Sequence, residues 1–500
     1  DTFDTENGKG FGKGDIFSPA GSNIEAGKNI MLNTHCFIGY FTNYMSTPYR
    51  VSISHPAGLW GATSMFDQDP STTNDVFTTP RYAELVENPI MYSKPDYTTF
   101  VVDDMEIQIA VYSPNGKVTA ESITPEMKTM MTAQKHFLGN INTTKKYSVL
   151  IYLTDPKKKD ATGFGALEHP TATTVVMPEM MGIEQLAKEL KDIVSHEFFH
   201  IVTPLTIHSQ EIQNFDYINP KMSEHLWMYE GVTEYFANLF QINQGLITED
   251  EFYNRMAEKM ERANTLNDTM PFTTMSANVL VQPYKDQYLN VYQKGALIGM
   301  SLDIIIRENS NGERGILDLM QKLSKEYGAS KAFNDDELFA KITQLTYPEV
   351  GEFLKTYVSG PTPIPYAHYL EKVGVVQTIK KIPSNFFLKG ETPYINIDQK
   401  TKEIIISPYN ELPEFYTSLG LKGNDILLAI NDIPYTFDNI YEMISASQKW
   451  KENDAITVKI KRDGKEQILK GNVKIPYEEK EGLEATETTK SKIREAWLKG

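Results

Sequence analysis

Cysteine is nearly missing from this sequence: Cys36 stands alone among 500 residues. That excludes an intrachain disulfide and a thiolate metal cluster, and Cys36 itself is expected as a small buried apolar side chain. Positive charge is also short, with 49 Lys and Arg against 66 Asp and Glu, a net charge of −17 and a pI near 5.1. No dense basic stripe offsets it, so a phosphate backbone would be repelled and no nucleic acid partner is expected. Long apolar runs are absent as well. ALIGMSLDIII, residues 296–306, contains Asp303 and falls short of the roughly 20 residues that cross a bilayer, so no membrane span is expected. The opening DTFDTENGKGFGKG is polar and glycine-rich; it lacks the basic start and apolar run of a signal peptide.

What is there suits several ordinary cores: 40% hydrophobic and 23% charged residues over 500 positions, enough for about three domains. Short β segments (NIMLNTHCFIGYF, YRVSISH, YTTFVVDDMEIQIAVYS) separated by turn residues fill residues 1–120, an expected all-β domain. Residues 121–375 form the second expected domain. There a helix is predicted to open at Thr124 (TPEM), followed by the buried strand KKYSVLIYLTD, by TATTVVM, and by helices from Pro178 to Tyr357. The Pro-rich SGPTPIPYAHYLEKVG marks a seam. Residues 376–480 read as a small αβ module whose hairpin turns at Asp463 and Gly464, and residues 481–500 as a charged tail, a loosely docked helix. The fold class expected is therefore multidomain α+β.

The chemistry concentrates in VSHEFFHIVTP, residues 194–204. Ile183, Ala187, Leu190, Val194 and Ile201 form an apolar stripe that Glu197 shares, and Pro204 is expected to end the helix. His196 and His200 are one turn apart, so their imidazoles leave the same face, with Glu197 about 100° round from His196. A pair of capping or core histidines is the plain alternative. A zinc ion that does chemistry takes three protein ligands and keeps one position open, so a third ligand is required downstream. In LWMYEGVTEYF, Glu230 falls on the apolar face of Leu226, Ala237 and Phe240, where an unpaired carboxylate is costly and a divalent cation would account for it. Glu234 is either the acceptor that orients a ligand imidazole or a solvated surface acid. His208 and His225 lack ligand spacing and are expected as structural or surface residues.

Together, HEFFH (196–200), LWMYEGVTEYF (226–236), VYQKGAL (291–297) and GALEH (165–169) resemble the glycyl aminopeptidase family of zinc metallopeptidases, part of the HExxH gluzincin group with two His and one Glu on zinc. FSPAGSNI, FDY and GPTPIPYAHYLEKVG extend the likeness, and GLKGNDILLAINDIPY resembles the first half of a bacterial PDZ domain. The resemblance implies an N-terminal antiparallel β domain, a thermolysin-like catalytic domain and a PDZ-like domain. It implies one zinc ion per chain on His196, His200 and Glu230, with Glu197 as general base and Tyr292 as catalytic tyrosine. Gly165, Ala166 and Glu168 would form the substrate strand, with Glu168 receiving the free α-amine of a peptide. Taken alone, Tyr292 has a core tyrosine as its plain alternative, and a lone Glu before a His, as at Glu168, is more often half of an ordinary ion pair.

Two departures from the family pattern stand out. The chain starts partway through the usual N-terminal domain, so a signal could have been lost with that piece; a secreted or periplasmic setting is expected, with the cytoplasm open as the alternative. GALEH replaces the commoner GGLEH, and the methyl of Ala166 would narrow the pocket. The expected activity is removal of N-terminal residues, small ones such as Gly or Ala, from peptides. The alternatives are a thermolysin-type endopeptidase, or a scaffold in which the PDZ-like module holds a peptide and the metal is structural.

Overall fold

Strand Lys146–Thr154 is buried at every position after its first, the continuous apolar run of a parallel strand covered on both faces. In the computed structural model, which describes residues 17–139, 141, 144–155, 157–158, 160–161, 163–328, 330–389, 392–408, 412–486 and 489–499, it is the middle of a five-stranded sheet. The order is Gly165–His169, Ala172–Pro178, Lys146–Thr154, Met105–Tyr112, Tyr97–Val102. The two inner pairings are parallel and the two outer ones antiparallel. Gly165–His169, the strand of the GALEH motif, is thus an edge strand. The glycine-rich opening, on which the signal-peptide expectation rested, lies outside the described residues.

By sequence, YTTFVVDDMEIQIAVYS was expected in an N-terminal domain reaching residue 120. The structure instead joins both of its strands to the sheet that carries Glu168, because Met105–Tyr112 pairs in register along Lys146–Thr154. The N-terminal β domain that remains holds an antiparallel sheet of Asn23–Glu25, Asn29–Leu32, Ile90–Ser93 and Trp60–Ala62, and the separate pair Tyr49–Ser54 and Asn74–Thr79. Leu59, Phe77, Ile90 and Tyr92 form a core there. Cys36 is exposed, against expectation. It ends a three-residue turn, Thr34–Cys36, in which only Thr34 is buried.

Helices dominate after the sheet. Ala120–Leu138 starts earlier than Thr124 because the Thr119 side chain caps it, accepting from the Ser122 amide at 3.2 Å. Gln293–Asn309 is buried from Lys294 to Arg307, as a helix apolar all round must be when it is the axis of a bundle. This is the home of ALIGMSLDIII, and no described helix is long and apolar enough to cross a membrane. The chain divides into two compact units, one of the described residues up to Pro178, Ala187–Thr378 and those from Gly482, the other of Glu179–Leu186 and Ile379–Glu481.

The second unit packs Ile404, Ile406, Leu427, Ile430, Ile456, Val458 and Ile460 into its own core. Its hairpin Ala455–Arg462 and Lys465–Asn472 turns through Asp463 and Gly464 at φ +49° and +77°, the paired left-handed conformation of a tight type I′ turn.

The charged tail is more firmly held than its composition suggests. Helix Ser491–Lys499 sinks Trp497 to 0% exposure, where its indole donates to Tyr235 Oη at 2.7 Å and Tyr235 donates to Asp303 at 2.8 Å. The Phe252 ring lies 5.5 Å away, edge to face. Trp497→Ala is therefore expected to destabilise the helical unit by about 3–5 kcal/mol. Urea unfolding of the full chain, followed by circular dichroism, checks it; a parental midpoint would show the tail to be dispensable.

Candidate metal centre

The HExxH helix, Ile183–Phe199, ends one residue before its second histidine, not at Pro204. Past Phe198 the backbone tightens: the amides of His200, Ile201 and Val202 bond the carbonyls of Glu197, Phe198 and Phe199 at 3.0–3.2 Å, a 3₁₀ pattern with fewer residues per turn than the α-helix before it. Ala187, Leu190, Val194 and Ile201 are buried as expected, while Ile183 at the exposed start of the helix is 44% exposed. His200 Nδ1 donates to the Thr203 carbonyl at 3.1 Å. His196 Nδ1 donates to Glu234 Oε2 at 2.7 Å. With both Nδ1 atoms committed, each imidazole turns an Nε2 lone pair inward.

Glu230 closes the triangle. Its Oε2 lies 3.2 Å from His196 Nε2 and 3.6 Å from His200 Nε2, and the two Nε2 atoms are 3.2 Å apart. Glu230 belongs to a π-helical stretch, Trp227–Val232, that passes into the α-helix Thr233–Asn243, a wide turn of the kind concentrated at functional sites. Its place depends on two glycines. A Cβ on Gly231 would fall on the Gly295 carbonyl group, and one on Gly295 would come within 2.8 Å of Gly231 Cα. Only glycines allow the two backbones to meet. The contact sets Glu230, one residue before Gly231, beside Tyr292, three residues before Gly295, whose ring centroid is 5.5 Å from that of His196.

Glu168 and Glu197 complete the cluster, each offering a carboxylate oxygen within 4.8 Å of the other and of a His200 ring nitrogen. Glu197 Oε2 is buried without a hydrogen-bond partner. Strand alternation puts Ala166 on the Glu168 face, while Gly165, at φ +145°, faces the Phe17 ring instead.

The electrostatics sort these groups. Burial raises the Glu197 carboxyl well above its ordinary pKa, and the charges of Glu168, Glu230 and Glu234 reinforce this against the pull of His196. Burial raises Glu168 too. Burial also opposes ionisation of Glu230, but His200 and His196 outweigh it and hold the group low. Glu234 is held low as well, its burial overcome by Lys259 and His196, with Lys259 Nζ 2.5 Å from Oε1. Burial raises both phenols, that of Tyr288 to about 12 and that of Tyr292 further.

All seven polar residues singled out by sequence thus converge. Two imidazole nitrogens and one carboxylate oxygen facing one another, beside an orphaned carboxylate oxygen, fit a borderline cation that takes N and O ligands and leaves a position open. His208 and His225 are structural: the first is buried on Gln213 at 2.8 Å, the second bonds the Asp335 carbonyl at 3.0 Å and accepts from the Trp227 indole at 3.1 Å. Sequence spacing did not point to Thr203 or Lys259, since neither falls in a motif. Tyr288, one turn before Tyr292, could have been found by that spacing.

This sheet-and-bundle fold with an HExxH grip completed by a distant glutamate defines a metallopeptidase. The family model described as M61 glycyl aminopeptidase matches residues 189–298 and that of the peptidase M61 N-terminal domain matches residues 13–94. Over those two stretches the chain is similar to the M61 glycyl aminopeptidase family, and it is a peptidase. No curated protein sequence matches it. Among solved structures, an aminopeptidase N family protein from Idiomarina loihiensis has the same fold at 19% identity and TM-score 0.66, over 94% of this chain and 82% of that one. Weaker likenesses are an M1 zinc metallopeptidase mutant from Deinococcus radiodurans bound to a Tyr-Ser-Ala substrate (16% identity, TM-score 0.49, 69% and 72% covered) and yeast LTA4 hydrolase (14%, 0.47, 69% and 53%).

Without a cation, burial works against an imidazolium at His196, but its bonds to Glu230 and Glu234 prevail and raise its pKa well above the ordinary value. A metal must then displace a proton. Zinc titrated into metal-free protein at pH 7 is expected to release protons, seen as a heat that varies with the ionisation enthalpy of the buffer. Glu234→Ala is expected to weaken zinc about 10- to 100-fold in chelator competition. Equal heats in all buffers, or parental affinity in the variant, would remove this coupling.

Proposed function

We propose that the chain is a zinc-dependent aminopeptidase, with one zinc ion on His196, His200 and Glu230, that removes small N-terminal residues such as Gly or Ala from peptides. The observation that carries this reading is the second carboxylate: Glu168 comes within 4.8 Å of Glu197 and of the His200 ring nitrogen. An endopeptidase needs one acid as base and has no use for another beside it.

A bound zinc ion supplies Lewis-acid polarisation of the scissile carbonyl and draws the pKa of water from 15.7 toward about 7. Glu197, with a raised pKa and a free Oε2, takes the proton of the attacking water and passes it to the departing amine, a role commonly worth 10²- to 10⁴-fold. Tyr292 keeps its proton and donates it as a hydrogen bond where negative charge develops on the carbonyl oxygen. Glu168 pairs with the α-ammonium, so the first carbonyl of a free-amine peptide, and no later one, reaches the metal. Among the described residues Gly165–His169 pairs with a strand on one side only, which suits addition of the substrate as a further strand, and the Ala166 methyl, on the Glu168 face, favours a small first residue.

The orphaned oxygen of Glu197 also speaks against a purely structural metal, whose site has no use for a base. For Ile379–Glu481 we propose a PDZ-like module, supported by its small sheet and the helix Ile440–Ser447; whether it takes a peptide or serves only to pack is decided by titration with peptides of free carboxyl terminus.

Glu197→Gln is expected to retain zinc and fold while turnover of glycyl and alanyl amides falls by about 10²-fold or more. Glu168→Ala should lose most activity on free-amine substrates with unchanged unfolding. Parental activity in the first removes Glu197 from the mechanism. Equal cleavage of free and acetyl-blocked peptides by the parent protein favours the endopeptidase.

A further inference from the structure

The phenol of Tyr288 has no part in the mechanism above, yet its Oη is 3.1 Å from the Oη of Tyr292. The rings meet edge to face, with centroids 5.8 Å apart and planes at 84°. Tyr288 lies in the 3₁₀ segment Tyr284–Val291, and Tyr292 follows as the N-cap of Gln293–Asn309; one tight turn therefore stacks the second phenol on the first. We propose that Tyr288 is a positioning residue for Tyr292, donating its hydroxyl hydrogen to Tyr292 Oη and so aiming and polarising the hydroxyl that serves the scissile carbonyl oxygen. The inference rests on the reading of Tyr292 as that donor.

The direction of the bond follows from the inventory of protons. A phenol has one hydrogen to give. Once the hydrogen of Tyr292 goes to the substrate oxygen, its own oxygen can only accept, and among the described residues Tyr288 is the donor bonded to it. A donor that is itself hydrogen-bonded at oxygen gives a stronger bond onward, and the gain grows with charge on the substrate oxygen, so it belongs to the transition state more than to the bound substrate. The edge-to-face contact restrains the Tyr292 ring as well. Tyr288 is 40% exposed, so loss of its hydroxyl leaves no buried polar group behind and does not endanger the fold.

The test is a double-mutant cycle on the zinc-loaded full chain with an alanyl or glycyl amide. Tyr288→Phe is expected to lower kcat about 3- to 10-fold, the scale of one neutral hydrogen bond, with KM, zinc content and unfolding midpoint unchanged. Tyr292→Phe is expected to lower kcat about 10²- to 10³-fold, and the double variant to be no slower than Tyr292→Phe alone, because Tyr288 acts through Tyr292. Parental kcat in Tyr288→Phe beside a slow Tyr292→Phe overturns the inference and leaves the reading of the site intact. Multiplying losses in the double variant also overturn it, since they make Tyr288 an independent contact. A parental Tyr292→Phe overturns the reading and the inference with it.

Discussion

Glu168, Glu197, Glu230 and Glu234 crowd around two imidazoles in a region largely closed to water, and like charges so placed cannot all ionise without cations nearby. The protein answers by dividing them. Glu230 and Glu234 are held ionised by His200, His196 and Lys259, whereas Glu168 and Glu197 are pushed toward the neutral acid by burial and by the charges of their neighbours. Groups of one kind whose surroundings drive their pKa values apart mark a division of labour. On the proposed function, the first pair would serve the metal and the second the substrate.

Such a division requires placement finer than loops provide, and here it comes from close backbone packing. At the Gly231 and Gly295 contact the two backbones are too close for a Cβ on either glycine, and each glycine sits within a turn of a residue of the site. The cost of glycine within a helix, about 0.5–1 kcal/mol, is accepted at both positions. Tyr288 stands 3.1 Å from Tyr292 because one turn of the preceding 3₁₀ segment separates them.

The grip itself was legible in the sequence. Histidines four apart on a helix, and a glutamate on an apolar face, are periodic signals, and His196, His200 and Glu230 do converge. Glu234 was ambiguous between an orienting partner and a surface acid; its bond to His196 at 2.7 Å decides for the first. Signals that cross the chain were not legible. The exposed Cys36, the strands Tyr97–Val102 and Met105–Tyr112 that join the catalytic sheet, and the burial of Trp497 against Tyr235 all depend on long-range pairing, which a local pattern does not encode. Helix ends failed for a related reason: Pro204 is a strong stop, but the chain had already tightened at His200 to bring the second imidazole round.

Lys259 shows how far the site extends past its ligands. Its ammonium meets the one oxygen of Glu234 that His196 does not use, so the carboxylate is held from both ends and cannot rotate away from the imidazole. It also supplies a positive charge one bond removed from the grip. Counting the four carboxylates as ionised, a divalent metal and Lys259 together leave one negative charge. The α-ammonium of a peptide would bring the sum to zero, and an acetylated terminus would not. On the proposed function, selectivity for a free amine would then follow from the whole cluster, with Glu168 as the group through which it is expressed.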